Sequence, residues 1–354
     1  MKKIAILGPG NNVHTANVAN SFHRIGYEVH VLSLHGFRND YYNEIKQFSI
    51  KIPTPLGYVF SSFLISSYLK KNGIGLINAH YATGYGLLGA LVKCKIKVLS
   101  VWGSDVYLFP NKSWWHKTLL ENVLERYERI FSTSHDMAEV TRAYTDKKIY
   151  ITPFAVGDIF LKTRVKNKSK NTILTIGSTK NFDEKYGVDI LIKVYAKLIS
   201  ISSIKTKLVL IGDGKEMYSL KKLANDLNIE HLVDFVGRVE HAQMIELLDK
   251  FDLYAIFSRS ESFGVSALEA SARGVPVVSS NVGGLPEVVC NDVTGEVLDT
   301  NNLDSMALSL SNLLNNEDKR AFLSKNGPGF VENNYSSLVM DKAFSVALDF
   351  SQNT

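Results

Sequence analysis

The sequence has only two cysteines, Cys94 and Cys290, among its 354 residues. Two cysteines support neither a disulfide framework nor a cysteine-based metal site, so a reducing compartment is expected. No stretch approaches about 18 uninterrupted apolar residues, which excludes a membrane-spanning helix. The apolar run Ile4–Leu7 is interrupted at Gly8, too early for a signal peptide. These absences predict a cytoplasmic protein.

Acidic residues are scarce in the first half of the chain. Residues 1–155 carry 18 Lys and Arg but only 10 Asp and Glu, although the net charge of the whole chain is only +5. A basic half is suited to nucleic acid, an anionic lipid surface or a phosphorylated substrate. No nucleic-acid-binding motif is present, so we expect no nucleic-acid partner and favour the other two.

Short apolar runs alternate with helical patterns along the whole chain. The run Ile4–Leu7 begins one such series, and a second series begins at Ile173–Ile176. The stretch Lys162–Lys170, rich in Lys, Asn and Ser, has the composition of a linker. Because 354 residues exceed the usual size of one core, we expect two doubly wound α/β domains, over residues 1–160 and 161–335.

Polar residues follow several predicted strands of the first half. Gly8-x-Gly10 lacks the third glycine of the dinucleotide fingerprint, so a nicotinamide-dependent dehydrogenase is poorly supported. Ligands of open α/β sheets bind beyond the carboxyl ends of strands. His14, His80 and Asp105 occupy such positions and are candidates for the acceptor side of a site. Each of them is equally compatible with a structural hydrogen-bonding role.

One stretch of the second half has a strand, a tight loop and a helix in succession. Leu253–Phe257 is the predicted strand, Ser262–Gly264 the turn and Val265–Arg273 the helix. The start of a helix carries unpaired N–H groups and a partial positive charge, so the amides of Gly264, Val265 and Ser266 could hold a phosphate. Glu261 before the helix and Glu269 within it would flank that phosphate.

This stretch resembles the donor-site signature of retaining family-4 glycosyltransferases. The resemblance is carried by Glu261-x(7)-Glu269 with Phe263-Gly264 inside it, by Gly274-x-Pro276, and by Gly283-Gly284-x-x-Glu287. It implies the GT-B fold, in which two doubly wound Rossmann-like domains face an interdomain cleft. The alternative is structural: Glu269 would pair with Arg273 at i,i+4, and Glu261 would be a solvated loop acid.

The resemblance also implies roles for basic residues. Lys180 and Lys185 match the loop that neutralises the donor diphosphate, although many members have arginine where Lys180 stands. A lysine keeps the charge and loses the bidentate grip. The alternative is that both are solvated loop lysines. Arg238 and Val239 match the positions that lie next to the nucleobase in members of the family.

The loop Trp102-Gly-Ser-Asp105 resembles one that begins with histidine in many family members. Trp102 takes that place here, so the role of that histidine cannot be transferred, whereas the role of Asp105 can. We expect Gly10 and His14, in the Gly-rich turn, to bind the ligand. The predicted catalytic residues are Asp105, Glu261, Lys180 and Lys185.

The implied function is transfer of a hexose, with retention, from a nucleotide diphosphate sugar to a saccharide or lipid-linked saccharide. UDP-sugar is the expected donor, and bacterial surface polysaccharide or glycolipid synthesis is the expected setting. No Asp-x-Asp motif is present, and we expect no metal requirement and no cofactor. Two alternatives remain: a sugar-nucleotide epimerase of the same fold, and a non-catalytic nucleotide-sugar-binding protein.

Two further expectations concern the surface and the chain end. Trp114 and Trp115, between Lys112 and Lys117, either form an aromatic wedge on the inner face of a membrane or are core residues at a helix start. An amphipathic helix at about residues 336–354, after Gly327-Pro-Gly329, is expected to pack back on the first domain, as the resemblance implies.

Overall fold

A computed structural model describes residues 2–162 and 173–350. The chain divides into two compact units: the first comprises Met1–Ala155 and Ser337–Thr354, and the second Val156–Ser336. The predicted linker, except for Lys162, lies outside the described residues.

The first unit is built on a seven-stranded sheet with all pairs parallel, in the order β3-β2-β1-β4-β5-β6-β7. Its strands are β1 Lys2–Leu7, β2 Tyr27–Ser33, β3 Lys46–Ser49, β4 Leu76–His80, β5 Ile96–Val101, β6 Arg129–Ser132 and β7 Ile149–Ile151. Its helices before the second unit are α1 Val13–Arg24, α2 Gly57–Phe60, α3 Ser62–Asn72, α4 Tyr85–Leu91, α5 Ser104–Tyr107, α6 Trp114–Leu124 and α7 His135–Arg142.

The second unit has a six-stranded parallel sheet in the order β10-β9-β8-β11-β12-β13. Its strands are β8 Leu174–Thr179, β9 Thr206–Ile211, β10 Val233–Gly237, β11 Leu253–Ile256, β12 Val277–Ser280 and β13 Gly295–Leu298. Its helices are α8 Asp158–Lys162, α9 Val188–Ile201, α10 Met217–Asp226, α11 His241–Leu248, α12 Val265–Ala272, α13 Leu285–Val288, α14 Leu303–Asn315 and α15 Glu317–Tyr335. The last helix, α16 Ser337–Ala347, belongs to the first unit.

Both sheets confirm the predicted doubly wound α/β architecture. Strand order reverses between β1 and β4 in the first sheet and between β8 and β11 in the second. Loops that leave the carboxyl ends of strands at such a reversal diverge and leave room for a ligand. The loop after β11, which contains Glu261, lies at the reversal of the second sheet.

The stretch Gly327-Pro-Gly329 lies within a helix. Helix α15 runs through Pro328 without ending. A Cβ at Gly327 would lie 2.5 Å from the carbonyl oxygen of Ser271, so the glycine permits α15 to pack closely on α12. Tertiary packing therefore overrides the local signal of the proline.

Helix α16 packs on α1 within the first unit. The Arg24 guanidinium donates to Asp341, with Nε 2.7 Å from Oδ2 and Nη2 2.8 Å from Oδ1. The rings of Phe22 and Phe344 meet edge to face, with centroids 4.9 Å apart. These contacts are buried or half-buried, and they attach the end of the chain to its beginning.

Candidate functional site

Helix α12 begins at a glycine that no other residue could replace without strain. Gly264 has φ +105°, and a Cβ there would lie 2.8 Å from Leu285 Cδ2. The first N–H groups of a helix have no acceptor in a preceding turn. The hydroxyl of Ser266 is buried at the same end and has no hydrogen-bond partner among the described residues. The start of α12 therefore offers donors to an anion.

Two glycines hold the loop that carries Glu261. Gly283 has φ +54°, and a Cβ there would lie 1.9 Å from the carbonyl oxygen of Glu261. The N–H of Gly284 donates to that same oxygen over 3.0 Å. The Gly283-Gly284 motif therefore acts as a backbone support for the acidic loop.

Lys180 and Glu261 form a hydrogen-bonded ion pair. Their side chains are only 10% and 11% exposed. Burial alone would lower the pKa of Lys180, but the charge and hydrogen bond of Glu261, together with Tyr254 and Tyr186, outweigh burial and raise the pKa. Solvated-loop roles for these two residues are therefore wrong.

Glu269 lies on the first turns of α12, within the electrostatic reach of Lys180. Desolvation raises the pKa of its carboxyl to about 7, and Lys180 only partly opposes the shift. No partner for the Glu269 side chain is found among the described residues. Arg273 pairs instead with Asp249, with Nε 2.7 Å from Oδ1 and Nη2 2.8 Å from Oδ2, so the structural alternative for Glu269 is wrong. Glu269 is an acid whose hydrogen-bond capacity is unused.

The second basic residue, Lys185, lies beside the same loop with its side chain exposed. Its carbonyl oxygen accepts from the N–H groups of Arg259 and Ser260 at 2.8 and 3.2 Å. The ammonium groups of Lys180 and Lys185 lie 5.0 and 4.6 Å from the ring centroid of Tyr186. Tyr186 is therefore a cation–π partner of both lysines. The sequence reasoning missed it, although an aromatic residue next to a lysine in a predicted phosphate loop was a usable signal.

Arg238 and Val239 lie immediately after β10, at the carboxyl edge of the second sheet. Arg238 is exposed and Val239 half-buried. The N–H of Gly212 donates to the carbonyl oxygen of Gly237 over 3.0 Å, which joins the ends of β9 and β10. Phe263, on the acidic loop, is buried against Tyr335, with centroids 5.7 Å apart.

In the first unit, His14 and His80 belong to a buried aromatic cluster. The His14 ring stacks on Phe154 with centroids 4.0 Å apart, and His80 lies 4.3 Å from the Trp102 ring. Burial lowers the pKa of His14 to about 4 and, together with the nearby His14, that of His80 to about 3. The His14 Nδ1 atom is buried and has no partner among the described residues. The imidazoles of His14 and His80 are therefore uncharged at neutral pH.

Asp105 lies in the interior of the first unit, and its carboxylate is bound by backbone N–H groups. It is fully buried, and Oδ2 accepts from the Ala82 N–H at 2.7 Å, while Oδ1 accepts from Gly103 and Trp102 at 2.8 and 3.2 Å. Burial raises the pKa of this carboxyl, and the backbone donors oppose the shift. Both oxygens serve backbone groups after β4 and β5, so Asp105 positions these loops.

Gly10 is likewise engaged by the protein itself. Its N–H donates to Ser33 Oγ at 2.8 Å, and its carbonyl oxygen accepts from the Tyr41 hydroxyl at 2.9 Å. A Cβ at Gly10 would lie 2.6 Å from the Phe37 ring. The glycine thus permits the segment after β2 to cover the turn.

Known proteins match both units. The family described as "Glycosyl transferase 4-like" matches residues 3–134, and the one described as "Glycosyl transferases group 1" matches residues 160–330. The N-acetyl-alpha-D-glucosaminyl L-malate synthase of Bacillus anthracis is 27% identical over 85% of this chain and 84% of its own. A GDP-mannose-dependent phosphatidylinositol monomannoside mannosyltransferase of Corynebacterium glutamicum is 31% identical over 61% of this chain and 57% of its own.

Among solved structures, Anabaena HepE in complex with UDP and glucose has a TM-score of 0.78 at 18% identity, over 98% of this chain and 99% of its own. That likeness concerns the fold. The two sheets, the acidic loop and the family matches together define a GT-B glycosyltransferase. The chain belongs to the family-4-like glycosyltransferases. Over the described residues, no helix has the length and apolarity needed to cross a bilayer.

Proposed function

We propose that this glycosyltransferase moves a hexose, with retention and without a metal ion, from a nucleotide diphosphate sugar to a saccharide or lipid-linked saccharide. The observation that carries the proposal is the convergence of Lys180, Glu261 and Glu269 at the start of α12. Negative charge develops on the diphosphate as the glycosidic bond breaks. Lys180, Lys185 and the amides after Gly264 would stabilise that charge where other enzymes use a metal.

The two acids would have different roles in this scheme. Glu269, whose carboxyl lacks a partner, would accept hydrogen bonds from the ribose hydroxyls of the donor. Glu261 would hold hydroxyls of the transferred sugar near the reacting carbon and would balance the charge of Lys180 in the unliganded chain. The acceptor would attack on the face that the diphosphate leaves, with a donor phosphate oxygen taking its proton. Arg238 and Val239 would border the nucleobase.

UDP is the proposed nucleotide. HepE, with the same fold, was solved with UDP and glucose, whereas the corynebacterial relative is named as GDP-mannose-dependent. Thermal stabilisation by each donor separates the two, because a ligand at about 100 times its dissociation constant adds about 2.7 kcal/mol.

We place the protein in the cytoplasm, with the inner face of a membrane as a second partner. Trp114 and Trp115 are 63% and 66% exposed and stack on each other with centroids 3.7 Å apart, so their assignment to the core is wrong. An exposed aromatic pair beside Lys112 and Lys117 would rest at the headgroups of an anionic bilayer near a lipid-linked acceptor. Surface polysaccharide or glycolipid synthesis is the proposed setting.

The acid pair tests the donor site. Glu269→Ala should weaken UDP binding by about 1.5–3 kcal/mol, because a charge-assisted hydrogen bond is lost. Glu261→Gln should lower turnover while UDP binding survives. Isothermal calorimetry and a donor-turnover assay, repeated in EDTA, measure both effects, with exposed Glu230→Gln as the matched control.

Wild-type turnover in both acid variants would refute the site, and loss of turnover in EDTA that Mn²⁺ restores would refute metal independence. Linkage analysis of the product distinguishes the alternatives. An epimerised donor without transfer indicates an epimerase, and binding without turnover indicates a nucleotide-sugar-binding protein.

A further inference from the structure

Several large apolar side chains are exposed together in one short segment of the first unit. Residues 56–64, which cover α2 and the start of α3, include Phe63 at 85% exposure and Phe60 at 67%. Leu56, Val59 and Leu64 are exposed as well. The hydrogen bonds from Ser61 N to Gly57 O and from Ile65 N to Ser61 O, 3.2 and 2.9 Å, continue the helical path between α2 and α3. Positions 56, 60, 63 and 64 therefore share one helical face.

The surroundings of this apolar segment are basic. Residues 45–104 contain seven lysines and no aspartate or glutamate. Lys46 pairs with Glu28, and Lys97 donates to the carbonyl oxygen of Ala90. The other five are exposed and have no carboxylate partner among the described residues: Lys51, Lys70, Lys71, Lys93 and Lys95.

A groove joins the apolar and the basic residues. It has a volume of about 860 Å³ and lies between α3 and the segment after α4. Phe63, Leu69, Ile74 and Leu91 supply apolar lining, and three of the free lysines line it too, namely Lys70, Lys93 and Lys95. The N–H of Lys93 donates to Ser66 Oγ at 2.9 Å, which fixes the two walls together.

We propose that residues 56–64 and this lysine-lined groove form a docking surface for an anionic phospholipid bilayer. Phe60, Phe63 and Leu56 would enter the acyl boundary, and the lysines would meet the lipid phosphates. A second copy of the chain fits less well, because a two-fold contact through this patch would place the lysines of one copy against those of the other.

The topology supports a common orientation of the two apolar surfaces. The connections from β3 to β4, β4 to β5 and β5 to β6 all run in one direction across the sheet. Right-handed crossovers then place α3, α4 and α6 on one side of it. Helix α4 contacts both α3 and α6. The proposed docking surface and the Trp114-Trp115 pair therefore belong to one helical layer.

Vesicle sedimentation tests the docking surface. The full chain is mixed with phosphatidylcholine vesicles with and without 30 mol% phosphatidylglycerol, at about 50 and about 500 mM salt. We expect binding to the anionic vesicles at low salt. Phe60→Ser/Phe63→Ser should lower the partition coefficient at least tenfold, whereas Tyr218→Ser/Phe322→Ser, which removes two exposed aromatic residues of the second unit, should not.

The lysines are tested by Lys70→Ala/Lys93→Ala/Lys95→Ala. Each lysine near an anionic surface contributes about a fivefold factor in partitioning, so the triple variant should bind about a hundredfold more weakly. Three exposed lysines of the second unit, in Lys205→Ala/Lys222→Ala/Lys250→Ala, are the matched control. Trp114→Ser/Trp115→Ser, measured alongside, separates the aromatic pair from this surface.

This proposal shares with the proposed function only the membrane as a partner. None of the measurements that test it depends on enzymatic turnover. Unchanged vesicle binding in the phenylalanine or the lysine variant would overturn the proposal, as would equal binding of the wild type to neutral vesicles. A wild-type dimer in sedimentation velocity that Phe60→Ser/Phe63→Ser dissociates would assign the patch to self-association instead. Retained UDP binding in the variants keeps a failed docking surface distinct from a failed donor site.

Discussion

Among the described residues, Lys180 is the one cation that interacts electrostatically with both Glu261 and Glu269. It forms an ion pair with Glu261, and it lowers the pKa of Glu269 too little to offset desolvation. The site therefore contains an acid that is only partly ionised at neutral pH. Such groups lower stability and are typical of sites prepared for a ligand.

Glu269→Gln should stabilise the protein at alkaline pH. The pKa of Glu269 is raised from 4.5 to about 7 in the folded chain. Below pH 4.5 the carboxyl is protonated in both states, whereas above pH 7 the folded state must hold a desolvated charge. Wild-type stability should therefore fall as pH rises from 4.5 to 7, by at most about 3 kcal/mol.

Chemical denaturation at pH 5 and pH 8 measures this effect. The variant should gain stability over the wild type at pH 8 and little at pH 5, and it should lose affinity for UDP. An equal difference at both pH values would show that ionisation is not its cause. Exposed Glu230→Gln, with its carboxyl in water, is the control.

Residue spacing predicted the acids of the donor site but not their partners. Glu261 and Glu269 lie eight positions apart, a local pattern. Lys180 lies 81 positions before Glu261. Residue spacing therefore does not show that the two side chains are in contact. The same limit applies to Asp105: an acid in a loop is visible in the sequence, whereas the direction of its oxygens towards backbone N–H groups depends on the folded loop.

At the scale of elements, the acidic loop depends on the turn before α13. Gly283 approaches the Glu261 carbonyl oxygen so closely that no side chain fits, and its φ is positive. Any Cβ there must displace the loop that carries Glu261. The position of the loop that carries Glu261 is thus set by a glycine 22 residues later.

Gly283→Ala should lower stability by about 1–3 kcal/mol and reduce turnover, because both the φ and the contact with Glu261 become strained. Denaturant unfolding and the donor-turnover assay are the measurements. Gly329→Ala is the matched control: a Cβ there meets open space within α15, and alanine is the better helix former, so stability should rise slightly. A stable, fully active Gly283→Ala enzyme would contradict the support role.

Local helix propensity is a poor guide where tertiary packing opposes it. Gly327-Pro-Gly329 has every local feature of a helix break, yet α15 continues through it. Ser324 Oγ donates to the carbonyl oxygen of Gly274 at 2.5 Å, next to the close approach of Gly327 to Ser271. These contacts join residues that are far apart in the sequence, so a local pattern does not show them. Strands β1, β8 and β11, in contrast, were visible as apolar runs because buried parallel strands need apolar residues on both faces.

At the scale of the whole molecule, α16 connects the last part of the chain to the first unit. Asp341→Ala should lower the stability of that unit by about 2–3 kcal/mol, because Arg24 is left half-buried without its carboxylate. Denaturant unfolding with and without UDP distinguishes the units, since UDP should still protect the second one. Exposed Lys342→Ala is the control, and equal effects of both variants would contradict a specific role of the pair.

The return of α16 also reverses the order in which the two units become complete during synthesis. A ribosome that has released residues up to 336 has delivered all of the second unit, whereas the first still lacks the helix that covers Phe22 on α1. Domains of most chains fold from the amino terminus onwards. Here the nascent first unit holds an uncovered apolar face throughout the synthesis of the second, and it is in that interval that a chaperone would have a surface to bind.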